Sequence, residues 1–411
     1  MSFDFSATLR QGLSMNRVAC ALLFLAVVPG CAARHTRVEP DAGPAPFDAD
    51  AADAETSASG WTLQTLVLEM PGDSFGPARY ADLAIDERGA FHIAHVLQDR
   101  GDVLYTRNVS GVWQTSTIEA GMGPLVRLDE RSTPGFARLA LAPVLGTEAI
   151  TPLIVYDHGA SHGVTRASGW PPTLSALALE SSPLDIESLS IARAPSGIVY
   201  VAGLGAAVAG TMLRAVRVVG SDGSIAEPTT LRVSNDYRTS LCATADGWLH
   251  LAVASDVVIS LANRSPAGVW TSRVWAGNRS FPVLAEAPDG RLGIASVRYS
   301  TTSSDVAMVY GERLPGSTEF VETELFALPW LQSVDLAFDA EGFAHLAFVG
   351  GAALFYATNL SGTWRRQEVD YVNSAEGMPS IAIDAAGNPW IAYRGLWWSL
   401  VLATRARDSL R

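Results

Sequence analysis

The chain predicts an all-β fold, a seven-bladed propeller of four-stranded antiparallel blades. Three features carry that prediction. A turn glycine recurs at Gly89, Gly146, Gly197, Gly247, Gly290, Gly342 and Gly387, at spacings of 57, 51, 50, 43, 52 and 45 residues. An alanine stands five residues after six of these glycines, at Ala94, Ala202, Ala252, Ala295, Ala347 and Ala392. The last copy stops after its third strand near Ala403, while Trp61–Glu69 (WTLQTLVLE) repeats the fourth-strand pattern of WQTSTIE and WRRQEVD. A repeat of roughly 50 residues is the length of one four-stranded blade. Residues 61–69 are therefore expected to complete the seventh blade and leave no free edge.

Each element of the repeat has a local reason. Asp86, Asp339 and Asp384 stand three residues before their glycines, in D-x-x-G turns. There an aspartate accepts backbone N–H bonds while the glycine takes positive φ. The second strand follows, apolar on both faces, as in Phe91/Ile93 and Leu249/Leu251. A strand of that kind belongs to a sheet covered on both sides. Two residues before the repeat alanine stand His92, Tyr200, His250, Gly293, His345 and Trp390. Recurrence at one position makes His92, His250 and His345 packing residues between blades, not members of one site. Third strands read VLYTRN, VVISLAN, LFYATN and LVLATR. They lead to turns at Asn108-Val-Ser-Gly-Val-Trp113 and Asn359-Leu-Ser-Gly-Thr-Trp364. These turns resemble the Asp-box hairpins of sialidase-like propellers, a resemblance that implies fold and not activity.

The N-terminus is an address. Val18–Val28 is an 11-residue apolar run preceded by Arg10 and Arg17, and either Met1 or Met15 could be the start. That length suits a signal peptide over residues 1–30 and is too short to span a bilayer. The run ends at Val28-Pro29-Gly30-Cys31. This resembles a bacterial lipobox, which implies lipidation of Cys31 and, with Ala32 after it, the outer membrane. Plain secretion or a soluble periplasmic protein is the alternative. Residues 31–60 are rich in Ala, Pro and Asp, and read as a disordered acidic tether. The propeller takes 61–411.

Composition narrows the partners. Hydrophobic residues make up 48% and charged residues 17%, enough for a large core. Net charge is −13, all 29 basic residues are arginine, and no basic stripe offsets the acids. Such a chain repels phosphate backbones, so nucleic acid is not expected. The three cysteines, Cys20, Cys31 and Cys242, form no disulfide or metal framework.

Function is expected on the loops opposite the D-x-x-G turns, where lengths vary most. Tyr237, Arg238, Arg298, Tyr299, Trp330, Arg394 and Trp397 are candidates for the axial mouth, a set that suits an anionic or glycan ligand. Asp157, His158 and His162 share one loop and would suit a divalent metal. No other cofactor is expected. No G-x-S-x-G, H-E-x-x-H or phosphate-binding glycine loop occurs. The expected role is that of a monomeric, lipid-anchored binding or scaffold module for a glycan, a peptide or an envelope protein. A sialidase-like or other glycoside hydrolase of the envelope is the alternative.

Overall fold

Thirty strands and one 3-10 turn, Arg407–Leu410, make up the regular structure of the described residues. The computed structural model describes residues 55–57, 59–67, 81–97, 102–109, 111–120, 137–143, 150–157, 162–168, 173–176, 185–207, 214–220, 225–226, 232–233, 237–255, 258–301, 305–372, 378–395 and 399–410. The signal peptide, Cys31 and most of the tether lie outside them. Among the described residues no helix is long and apolar enough to cross a membrane.

The architecture is a β-propeller built mainly of four-stranded antiparallel sheets. The described strands group into seven sheets, such as Tyr237–Ala243, Leu249–Ser255, Val258–Arg264 and Trp270–Gly277 in order. The first strands of the sheets run beside one another. Ala81–Ile85 touches Ala137–Pro143, and contact continues through Asp185–Arg193, Tyr237–Ala243, Arg279–Glu286, Leu331–Phe338 and Ser380–Ile383 back to Ala81–Ile85. The repeat alanines explain this closeness. Ala94, Ala202, Ala252, Ala295, Ala347 and Ala392 are all 0% exposed, so a larger side chain would push adjacent sheets apart.

The D-x-x-G turns form as their residues dictate. Gly89, Gly342 and Gly387 have φ of 78°, 85° and 80°. Asp86 Oδ1 accepts the N–H groups of Arg88 and Ala90 at 2.9 and 2.8 Å. The histidines beside these turns are buried, but they serve their own sheets. His92 Nδ1 lies 2.6 Å from Tyr105 Oη, and His345 Nδ1 lies 2.6 Å from Tyr356 Oη. In both, Nε2 faces the turn aspartate at 3.4 Å. Each is an Asp–His–Tyr brace between the turn and the third strand, whereas His250 Nε2 lies 3.2 Å from Arg313 Nη2 of the next sheet.

The first and last described segments are both fastened to the fold. Thr62–Val67 pairs antiparallel with Leu400–Thr404, in one sheet with Pro389–Arg394 and Ser380–Ile383. Glu55–Thr56, within the stretch read as tether, pairs with Leu63–Thr62 and adds a short outer strand. At the other end Arg407 donates to Glu341 Oε1 at 2.7 Å and to Asp339 Oδ2 at 3.0 Å. Asp339 is 2% exposed. Burial disfavours its charge, but His345, the Phe343 N–H and Arg407 together hold its carboxyl below the usual range. Arg407→Ala removes the cation from a buried carboxylate and is expected to cost about 3 kcal/mol. Urea unfolding near neutral pH measures this, and a cost under a few tenths of a kcal/mol would mean that the clasp is idle.

Candidate functional site

The first strand of each sheet is hydrogen-bonded to its second strand on one edge only. Its other edge faces the strands of neighbouring sheets, where unpaired backbone donors need partners. A belt of side chains, one per sheet, lies along that edge, and four of its members, Asp82, Ser240, Asp335 and Ser380, accept such a donor. Asp82, Ser190, Ser240, Val283, Asp335 and Ser380 stand opposite the repeat alanines. Arg138 takes the corresponding place in the remaining sheet, because the N–H of Leu139 beside it donates to the preceding belt residue, Asp82.

The aspartates and serines of the belt reach toward the next sheet, whereas Arg138 reaches back toward Asp82 of the preceding one. Asp82 Oδ2 accepts the Leu139 N–H at 2.7 Å, and Ser240 Oγ accepts that of Leu284 at 2.9 Å. Asp335 Oδ2 accepts the Ile381 N–H at 2.8 Å, and Ser380 Oγ accepts that of Leu83 at 3.1 Å. Ser190 Oγ donates to Thr239 Oγ1 at 3.1 Å.

These strands enclose a cavity of about 220 Å³. Asp82, Arg138, Ser190, Ser240, Val283 and Asp335 line it, with Arg238, Phe281, Ser333 and Met378. It holds two carboxyls and two guanidinium groups. Arg138 Nη1 lies 3.9 Å from Asp82 Oδ1. The Arg238 guanidinium sits 5.7 Å from the centre of the Phe281 ring, within cation–π range. Phe281 itself has φ of +52°, and Asn278 has +57°. Pro282 disfavours the ordinary helical region for Phe281, and a non-glycine residue at positive φ costs about 1–3 kcal/mol. That strain is placed beside the cavity.

Asp335 has the chemistry of most interest. Burial pushes its carboxyl up to about 6. The Ile381 N–H opposes the rise, the Asp82 charge adds to it, and Arg138 and the Leu336 N–H oppose it again. Asp335 is half-buried, because it faces the cavity. Its two oxygens accept one N–H each, from Leu336 at 3.0 Å and Ile381 at 2.8 Å. A carboxyl has about four acceptor positions, so room remains for a proton.

Of the residues proposed from sequence for the axial mouth, Arg238 is the one that lines this cavity. Tyr237 begins the same strand. Arg298 and Tyr299 end Leu292–Tyr299, and Arg298 is paired with Glu324. Trp330 packs half-buried against the core cluster around Tyr356 and Ile391. Arg394, at the end of Pro389–Arg394, is 4% exposed. Trp397 lies outside the described residues. Asp157 and His162 are cross-strand partners at the end of a hairpin, and His158 lies outside the described residues. Among the described residues no three His, Cys, Asp or Glu side chains come together as metal ligands. Cys242 is buried and its thiol is pushed up to about 12, which leaves it unreactive.

No protein-family model and no curated protein sequence matches this chain. Solved structures do. One is the polysaccharide lyase Uly1, at 10% identity and TM-score 0.49, over 85% of this chain and 93% of that one. A second is the GH93 α-L-arabinofuranosidase of Fusarium graminearum with arabinobiose, at 8% identity and TM-score 0.48, over 84% and 99%. A third is the α-L-arabinanase of Penicillium chrysogenum with arabinobiose, at 10% identity and TM-score 0.47, over 85% and 100%. At these identities and scores the chemistry of this chain has to be read from its own cavity.

Proposed function

We propose that this protein is an exported glycoside hydrolase that works in the cavity bounded by the first strands. The observation that carries the reading is that Asp335, a carboxyl raised to about 6, lines the same cavity as the Asp82 carboxyl. Glycoside hydrolysis generally uses two carboxyls, one held protonated as an acid and one ionised. Asp335 is the acid that protonates the leaving oxygen. Asp82 is the carboxylate that faces the developing positive charge. Arg138 and Arg238 hydrogen-bond to substrate oxygens, and Phe281 offers an apolar face at the rim.

The seven sheets are, in this reading, the seven blades of one ring closed by the N-terminal strand. Cys31 carries the lipid anchor, residues before the first strand are the tether, and the protein stands as a monomer at the outer membrane. Labelled palmitate should enter the wild-type chain in a diderm host and not Cys31→Ser; equal incorporation in both would remove the anchor.

The binding or scaffold reading has its own support. The belt aspartates serve backbone N–H groups just as Ser240 and Ser380 do, so their presence is accounted for without catalysis. Release of reducing ends from neutral and acidic polysaccharides between pH 4 and 8 decides between the two. Wild-type turnover that Asp335→Asn abolishes supports the enzyme. Glycan binding without turnover supports the module.

A further inference from the structure

The polar belt is interrupted in one sheet. Val283 holds its place there, between Ser240 and Asp335 of the adjoining first strands. Just before it the strand bulges. Ser280 stands opposite Val297 and Val283 opposite Ala295, so Phe281 and Pro282 together face Ser296. Phe281 has φ of +52°, a region that strains any residue with a side chain. Ser296 Oγ is 0% exposed and has no hydrogen-bond partner among the described residues, so the bulge gains no hydrogen bond from the side chain it faces. A straight strand would avoid the strain. What the bulge delivers instead is the Phe281 ring to the cavity wall. We propose that Phe281 is a specificity-determining contact of the cavity, held in a strained bulge as the platform for one pyranose ring with an unbroken C–H face. The inference rests on the reading of the cavity as the glycan site.

The cavity has two unlike sides. Following the contacts between first strands, the strand of Phe281 stands three or four strands away from those of Asp82 and Arg138 in either direction. The Asp82–Arg138 pair, 3.9 Å apart, therefore lies across the space from Phe281, Pro282 and Val283. Phe281 is half-buried against the core cluster of Ala295 and Leu336, which leaves part of its ring to the cavity. The Arg238 guanidinium, 5.7 Å from the ring centre, comes from the neighbouring first strand and puts a donor next to the platform. A sugar ring has matching sides. Its C–H groups form an apolar face that packs on an aromatic ring, while its hydroxyls exchange hydrogen bonds with arginine and aspartate. An open-chain polyol has the hydroxyls without the face. At about 220 Å³ the cavity falls below the roughly 300 Å³ of the smaller drug-sized pockets, which is room for one ring and not for several.

Saturation-transfer NMR with methyl β-D-xylopyranoside and methyl β-D-glucopyranoside tests this, with xylitol and sorbitol as open-chain controls. Irradiating the aromatic protons of wild type should carry signal to the ring C–H groups of the glycosides and not to the alditols. Phe281→Leu keeps an apolar side chain without the flat face. It should weaken glycoside binding about threefold to tenfold, the worth of one aromatic contact, whereas Phe281→Tyr should bind like wild type. Phe281→Gly should unfold at higher urea than Phe281→Ala, because only glycine takes this φ without strain. No transfer to either glycoside in wild type, or transfer unchanged in Phe281→Leu, overturns the proposal. Alanine unfolding at higher urea than glycine overturns the claim that the platform is held under strain. Glycoside binding that needs Phe281, in a protein that cleaves no glycan, would end the hydrolase reading alone. Turnover that Asp335→Asn abolishes, with KM unchanged in Phe281→Leu, would end this proposal alone.

Discussion

Asp335→Asn is expected to lower glycan turnover by about 10²–10⁴-fold, the usual worth of a positioned acid. The variant should nonetheless fold, since Asn keeps one oxygen for the Ile381 or Leu336 N–H. It should also change how stability responds to pH. The folded carboxyl is raised to about 6 from an ordinary 3.8, so the folded state holds this proton more tightly than the unfolded one. Its stabilising effect is complete below pH 3.8 and is lost as pH rises through 6. Wild type therefore loses up to about 3 kcal/mol between pH 4 and pH 8 that the variant does not lose. Thermal melts of both proteins at the two pH values measure that difference. Equal pH dependence of the two would mean that Asp335 is well hydrated and no acid at neutral pH, whatever the activity data say.

Asp335 and Asp339 stand four residues apart in one strand and turn, in the run Asp335-Leu-Ala-Phe-Asp339. Their carboxyls shift in opposite directions, Asp335 upward and Asp339 downward. Arg407 arrives from 68 residues away to bind Asp339, whereas the charge of Asp82, from another sheet, acts on Asp335. The lowering at Asp339 is partly local, from His345 and the Phe343 N–H, but nothing local marks the rise at Asp335. This is why the repeat was legible in sequence and the cavity was not. The glycine register picks out the turns and the alanines, and the tryptophan pattern picks out Trp61–Glu69, because each is a short motif that recurs at a fixed place in the repeat. The belt lies on the same register, seven residues before Gly89, Gly197, Gly247, Gly290, Gly342 and Gly387. Arg138 is eight before Gly146, so that sheet breaks the count. The belt sequence of Asp, Arg, Ser, Ser, Val, Asp and Ser looks like an ordinary polar strand position until the first strands are set side by side. Loop arginines attract notice for the opposite reason. Arg298 looks available in the sequence, and only the fold brings Glu324 against it.

Trp61→Ala is expected to cost about 3–5 kcal/mol, the range for removing a buried aromatic. Trp61 is 0% exposed and meets Tyr356 edge-on at 5.1 Å between ring centres. Its core cluster joins Ala347, Tyr356 and Val369 of one sheet to Ile391, Tyr393 and Ala403 of the next. The indole thus fills a seam between two sheets, and a cavity there loosens the strand that follows it. Domain stabilities are about 5–15 kcal/mol, so the loss is a large fraction of the whole and should appear as an earlier urea midpoint. Trp61→Phe separates packing from hydrogen bonding. The Trp61 Nε1 is buried without a partner, so phenylalanine sheds an unmet donor while keeping most of the ring, and should cost well under half as much. Deleting residues 1–67 goes further, because Leu400–Thr404 then becomes an unpaired edge open to other chains. That protein is expected to elute as oligomers or aggregate, whereas Trp61→Ala should remain monomeric. A deletion that elutes and melts like wild type would mean that Thr62–Val67 contributes nothing to the fold.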